Sequence, residues 1–381
     1  MKKILIITKH YLDQNNGGSN GSKGFIKAFS NIYEDCTLIY PEHDNFDSSM
    51  FLPPNIIKVP VYDHRHKVVK ALDFYRGRML RFANFVKSYI VGKHFDLIII
   101  DHSLTASEIL SDLKITGAKI VTIHHNVEAL YLKDNEPNIL WRIPFNYYSK
   151  KIEREALLLS DLNLTVTQND ADFFKSWYPN HNLNIYNLGN FEYTKPKLQH
   201  FEERKIEHSF VISGSLCFQQ STKPILEFLE CYYPIILERF PDSKLTICGR
   251  NPNKKIKNAC KKFNTVSLIP NPIDIESIMR KAYVYISPIY TGSGRKLRIM
   301  DGLKLGMPIL CHDVSALGYE NIIEAGYMFK YRDSKSFIEC LDKILHTKIN
   351  PNDVYEKYLD YFSLDAGIAR LKAILDENEL L

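Results

Sequence analysis

Short apolar runs alternate with longer amphipathic stretches along this chain, and the alternation stops once and starts again. Residues 4–8, 36–40, 97–100, 120–123 and 162–167 are runs of four to six residues that read as buried strands. Between them, 23–31, 67–91, 104–113 and 144–159 carry helical spacing. A strand that is followed each time by a helix pairs in parallel with its neighbours, so the pattern predicts a parallel sheet covered on both faces. From 190 to 207 the apolar period lapses, and Phe191 to Lys205 reads as a linker. Strands are then expected at 210–213, 245–249, 266–269, 284–287 and 308–311, with helices at 224–240, 253–263, 275–281 and 295–305. The fold class is therefore α/β, with two Rossmann-like domains at 1–195 and 196–350 and a helical tail at 351–381. In such a pair the ligand is expected in the cleft, at the carboxyl ends of the strands.

Composition removes several alternatives. A chain of 381 residues with 21 Phe and 23 Tyr is no solvated coil. The 7 cysteines include no Cys-x-x-Cys pair, which argues against a zinc ribbon or a redox dithiol and suits a reducing compartment. No run approaches the roughly 20 apolar residues of a membrane span, and the start from Met1 to Leu5 is too short for a secretory core. A cytoplasmic protein is expected. The net charge is only +5, yet between His64 and His94 eight Lys/Arg face the single acid Asp73. That stretch interleaves its cations with Phe74, Tyr75, Met79, Phe82, Phe85 and Tyr89. It fits a helix lying on an anionic membrane surface, and equally a packed helix with a solvated basic face. Without an accompanying motif it does not point to nucleic acid.

The strongest local signal is Thr291-Gly292-Ser293-Gly294-Arg295-Lys296-Leu297-Arg298-Ile299-Met300-Asp301, followed by Gly306-Met307-Pro308. A strand feeds a glycine loop, and a helix is expected to open near Arg295. Backbone N–H groups, Lys296 and Arg298 there would attract a phosphate, and Asp301, three residues after Arg298, shares its helix face. The alternative is a solvated basic helix start with a local Arg–Asp pair. Asn16-Gly17-Gly18-Ser19-Asn20-Gly21-Ser22-Lys23 also follows a strand; its glycines permit close backbone approach but equally suit a turn. His124 and His125 end a strand, where successive side chains face opposite ways, so they cannot chelate one metal. His125 is the candidate proton-handling residue, and Asp101-His102 comes next. Asp170-x-Asp172 reads as a helix start rather than a metal pair.

These motifs resemble the GT-B glycosyltransferases, in particular the GT4-like retaining group (glycosyltransferase group 1 family). The family's Gly-x-Gly-x-Arg-x-Lys-x-x-Glu stands here as Gly292-x-Gly294-x-Lys296-x-Arg298-x-x-Asp301. Ser213-Gly214-Ser215-Leu216, Pro241-Asp242 through Leu245 to Gly249-Arg250-Asn251-Pro252, and His125-Asn126-Val127-Glu128 resemble further family stretches. The resemblance implies a retaining, metal-independent enzyme without cofactor, using a UDP- or GDP-sugar donor. The acceptor implied is a glycan, as in a lipid-linked surface polysaccharide precursor. Lys296 and Arg298 would stabilise the leaving diphosphate, with His125 on the acceptor side. Gly17, Gly18, Gly292, Ser293 and Gly294 would border the donor, Gly214, Gly249 and Arg250 would flank it, and Asp301 would hold the ribose. The tail helices would pack back toward the N-terminal domain, and the enzyme would be peripheral at the inner face of a membrane. This chain departs from the family at Ser215 and Gln220, where many members carry cations. That departure motivates a second expectation, a non-catalytic glycan-binding or stabilising partner of another transferase. A nucleotide-sugar epimerase is the third.

Overall fold

The computed structural model describes residues 2–14, 16–44, 47–128, 130, 139–195, 199–202 and 207–381. Positions 196–198 and 203–206 of the expected linker lie outside the described residues. The chain forms two compact units, Met1–Pro196 with Phe362–Leu381, and Lys197–Tyr361.

In the first unit the strands are β1 (Lys3–Thr8), β2 (Asp35–Glu42), β3 (Ile56–Tyr62), β4 (Leu97–Asp101), β5 (Lys119–His124), β6 (Leu162–Thr165) and β7 (Ile185–Asn187). They lie in the order β3-β2-β1-β4-β5-β6-β7, every pair parallel. Alternate residues of one strand serve opposite faces. Ile4 and Ile6 join Ile99, Phe25 and Phe29 on one side, while Leu5 and Ile7 join Ile98, Ile100 and Val86 on the other. That two-sided burial is why the central strands read as unbroken apolar runs. β3 was not visible in the sequence because it is an edge strand, with Lys58 and Pro60 inside it and all its residues but Ile56 exposed or partly so.

The helix expected over 67–91 is two, Lys67–Tyr75 and Ala83–Ile90. Gly77 breaks it at φ +77°, in the left-handed region, and a Cβ there would collide with the Tyr148 ring. The charge of this stretch is also less bare than its composition indicates. Asp63, Glu108 and Asp112 reach in from outside the window to Arg65, Lys70, Arg78 and Lys87.

The second unit holds β8 (Ser209–Ser215), β9 (Lys244–Arg250), β10 (Val266–Pro270), β11 (Val284–Ser287), β12 (Ile309–His312) and β13 (Met328–Tyr331). Their order is β10-β9-β8-β11-β12-β13, again all parallel. In each sheet the order reverses beside the first strand, at β1/β4 and at β8/β11. Crevices for ligands form at such reversals, beyond the carboxyl ends of the strands. The tail divides. Helix Pro351–Phe362 lies almost wholly in the second unit, with Pro351 against Gly306. Helix Leu364–Glu377 lies in the first unit. There Leu371 and Leu375 join the core of Phe25 and Phe29, and the Tyr33 hydroxyl donates to the Leu380 carbonyl at 2.7 Å.

Candidate functional site

Chemistry-bearing side chains collect at the strand reversal of each unit. In the first unit, β1, β4 and β5 end in Lys9-His10, Asp101-His102 and His124-His125. His125 Nε2 lies 2.6 Å from Asp101 Oδ1, and His102 Nε2 lies 3.1 Å from Glu128 Oε1. The rings of His10, His102 and His125 form a near-equilateral triangle, with centroids 5.2–5.3 Å apart. Asp101, His102, His125 and Glu128 are all buried. Burial opposes the Asp101 charge, yet His125 and His10 beside it hold the carboxyl well below its ordinary range. Burial pushes His10 and His102 well below the usual imidazole value, seconded by His102, His125 and Lys9 at His10 and by Lys9, His125 and His124 at His102. Burial lowers the Lys9 ammonium and raises the Glu128 carboxyl.

The glycine run contributes the floor of this cluster. It is the opening of helix Gly17–Ile32, six residues earlier than expected, with Asn16 accepting from Ser19 N–H as the cap. Gly17 and Gly18 form its first turn. A Cβ on Gly18 would stand 2.6 Å from the His10 ring, and one on Gly21 would stand 3.5 Å from the His125 ring. So the glycines admit histidines. His124 and His125 do face opposite ways: His124 turns to Asn163 at 3.0 Å, and burial lowers its pKa to about 4. Asp170 is buried in the first turn of helix Gln168–Trp177, whose cap is Thr167, while Asp172 bonds Gln168. His10 and Lys9 escaped the sequence reading. Their one signal was position, directly after the central strand.

In the second unit a cavity at β8/β11 is lined by Gly214, Ser215, Gln220, Pro288, Lys296 and Arg298, among others. Gly292 at φ +83° and Gly294 at φ +69° make the loop turn that other residues resist. Lys296 Nζ donates to the carbonyls of Gly292, Ser293 and Gly294 at 3.0, 3.1 and 3.3 Å. It folds the loop while lining the cavity. Gln220 Nε2 donates to the Thr291 carbonyl at 3.3 Å, and Tyr319 hydroxyl to the Lys296 carbonyl at 2.9 Å.

The helix here is Arg298–Lys304, not 295–305, and Leu297 at its cap makes no side-chain bond. The glycine loop therefore does not open directly into a helix end. Arg298 Nη1 meets Asp301 Oδ2 at 3.2 Å, and both side chains stay over a third exposed, at 40% and 37%. Gly249 has a structural duty: paired with Gly214, it leaves room for that residue's carbonyl, which any Cβ would strike. The exposed Arg250 follows it, its carbonyl accepting from Leu216 N–H at 2.9 Å. Ser215 Oγ lies 3.3 Å from Cys217 Sγ.

Residues 207–347 match the family model described as Glycosyl transferases group 1. An uncharacterized 44.6 kDa protein in the cps region of Klebsiella pneumoniae is 22% identical over 343 residues, 84% of each chain. Sucrose-phosphate synthase from Thermosynechococcus elongatus superposes with a TM-score of 0.70 at 13% identity, over 99% of both chains. S. aureus TarM, solved with Fondaparinux, alpha-GlcNAc-glycerol and UDP, gives 0.67 at 10% identity over 99% of this chain and 100% of that one. The strand orders and these likenesses agree on the fold: the chain has the GT-B architecture, and residues 207–347 of its second unit match the group 1 glycosyltransferase model.

Proposed function

We propose that the protein is a retaining glycosyltransferase that moves a sugar from a UDP- or GDP-sugar to a glycan carried on a lipid diphosphate. The observation that carries this reading is the cavity at β8/β11, a strand reversal lined by Arg298 and by Lys296, whose ammonium holds the glycine loop. In the reaction Arg298 and Lys296 stabilise the charge that grows on the departing diphosphate, which needs no metal ion. Asp301, already set by Arg298, accepts from the ribose hydroxyls. Gly214 and Ser215 form the opposite wall, and Arg250 stands beside them on the base side. In the first unit the buried Asp101 orients His125 for proton handling at the acceptor.

The test is binding of UDP, GDP, ADP and dTDP by calorimetry, with Arg298→Ala as control. One nucleotide binding the wild type and not the variant supports the donor site. Turnover unchanged by EDTA supports metal independence, and product NMR reads the anomeric configuration. The uncharged Ser215 and Gln220 favour a second reading, a glycan-binding partner of another transferase. Absence of any nucleotide binding would decide for it.

The membrane side of the proposal rests on a surface of the first unit. Val68, Leu72 and Tyr75 stand exposed on one helix, and Leu140, Ile143 and Tyr147 on helix Ile139–Leu159. Ring contacts of Phe74 and Tyr75 with Trp141, at 4.9 and 5.0 Å, set the two helices side by side. Lys67, Arg76 and Arg81 nearby make no ion pair among the described residues. Among the described residues no helix is long and apolar enough to cross a membrane. Sedimentation with vesicles containing anionic lipid should carry the protein down at low salt. Leu72→Glu with Ile143→Glu should abolish this.

A further inference from the structure

A second cavity lies in the second unit at the carboxyl ends of β11, β12 and β13. Pro288 lines both it and the cavity described above. Its walls include Tyr232, Tyr290 and Tyr331, with Glu227, His312 and Arg332. The rings form a belt: Tyr290 to His312 at 5.8 Å, His312 to Tyr331 at 5.7 Å, and Tyr331 to Tyr232 at 5.1 Å. The polar groups are fixed in place. The Tyr290 hydroxyl donates to Glu227 Oε2 at 2.7 Å, and Glu227 Oε1 takes no hydrogen bond among the described residues. His312 Nδ1 is engaged by Val314 N–H at 3.2 Å and lies 2.8 Å from Asp313 Oδ1. That leaves Nε2 as the ring nitrogen with no partner among the described residues. Arg332 Nε pairs with Asp313 Oδ2 at 2.6 Å.

The backbone is shaped for this cavity. The long helix after β8 widens into a π turn at Phe228–Tyr232, between the α-helical segments Gln219–Glu227 and Tyr233–Arg239. In an uninterrupted α-helix, residues five apart point about 140° away from each other. The i→i+5 spacing of a π turn brings Glu227 and Tyr232 to one side, where both line the cavity. Such turns recur at functional sites. The cavity at β8/β11 makes no use of it.

We propose that this cavity binds a neutral sugar ring, a unit of the glycan under construction, independently of the nucleotide. A pyranose offers apolar C–H faces and a rim of hydroxyls. Tyrosine faces suit the first, and a carboxylate and an imidazole suit the second. Arg332 is already paired, so an anionic ligand would meet the Glu227 carboxylate uncompensated, which disfavours a phosphate. The assignment rests on the glycosyltransferase reading.

The test is saturation-transfer NMR with the methyl glycosides of glucose, galactose, mannose and N-acetylglucosamine, with and without saturating UDP or GDP. At least one glycoside should bind, and nucleotide should not displace it. Tyr290→Ala and Glu227→Gln should each weaken it about tenfold or more, with melting temperatures showing both variants folded; Glu227 is exposed, so its variant tests the site even where Tyr290→Ala folds poorly. Absence of saturation transfer from all four overturns the proposal, as does displacement by nucleotide or insensitivity to both substitutions. Nucleotide binding to the wild type, read in the same samples, tells whether the transferase reading stands regardless.

Discussion

Among single residues, the sharpest consequences lie in the buried charges of the first unit. His124, His10 and His102 are uncharged in the folded chain at neutral pH, held there chiefly by burial. Unfolded, each binds a proton near pH 6.5. The unfolded state therefore gains protons first on acidification, and stability falls from pH 6.5 downward. For His124, whose folded pKa is about 4, the loss is complete near pH 4 and amounts to about 3 kcal/mol. Glu153 works with the opposite sign. Buried and close to Glu128, its carboxyl is pushed well up, so the folded state keeps a proton that the unfolded state releases above about 4.5. Stability then drops as pH rises through that window. Glu153→Gln removes this arm and keeps an acceptor for the Glu128 N–H, now 3.0 Å from Glu153 Oε1. Urea titrations should find the variant more stable than wild type at pH 8, with a steeper decline between pH 6.5 and 4.5. A wild-type-like profile would contradict the buried charge assigned to Glu153. Asp101→Asn replaces the carboxylate that His125 Nε2 meets at 2.6 Å with a neutral amide and should cost about 2 kcal/mol, readable in the same titrations.

For elements, the close approach of β8 and β9 can be tested directly. Gly249→Ala forces a methyl into the Gly214 carbonyl and should cost about 3 kcal/mol or more. Gly92→Ala is the control: φ is +69° but nothing lies within 4 Å, so only about 1 kcal/mol of backbone strain is expected. Comparable melting temperatures for the two would remove the packing role from Gly249. The elements also show what was legible. Central strands declared themselves because both faces are buried and their runs are unbroken. β3, β7 and β13 did not, being edge strands of three to seven residues, with Lys58, Pro60 and Lys330 among them. A positive φ at Gly77 split an apparently continuous helix, because spacing alone carries no information about a Tyr148 ring seventy residues away. At the candidate site, the pairing of Arg298 with Asp301, three residues on, could be read from their spacing. That Lys296 bonds three loop carbonyls, or that His10 completes a histidine triangle, depends on folding that spacing does not encode.

On the scale of the whole molecule, the first unit is assembled from two separated stretches of chain. Gly367 leaves room for the Phe191 ring, and Leu364, Leu371, Leu375 and Leu380 fill the core that Phe25 and Phe29 begin. Deleting 363–381 removes four buried leucines, each worth roughly 2 kcal/mol, a loss comparable with the whole margin of about 5–15 kcal/mol on which a domain rests. Circular dichroism of the truncated chain should show the first unit unfolded or melting far below the intact protein. Gly367→Val should reproduce a large part of that loss. A truncated chain that melts like the intact one would separate the last helix from the first unit's stability.

The same discontinuity sets an order of events during synthesis. The helix carrying Phe25 and Phe29 is made early, while Leu371 and Leu375 are translated only after the second unit's 197–361. At 5–20 residues per second that interval is roughly 10–30 s. Throughout it, the ribosome-bound chain presents an incomplete apolar face, the kind of surface that chaperones hold. Its release waits for the last helix to emerge.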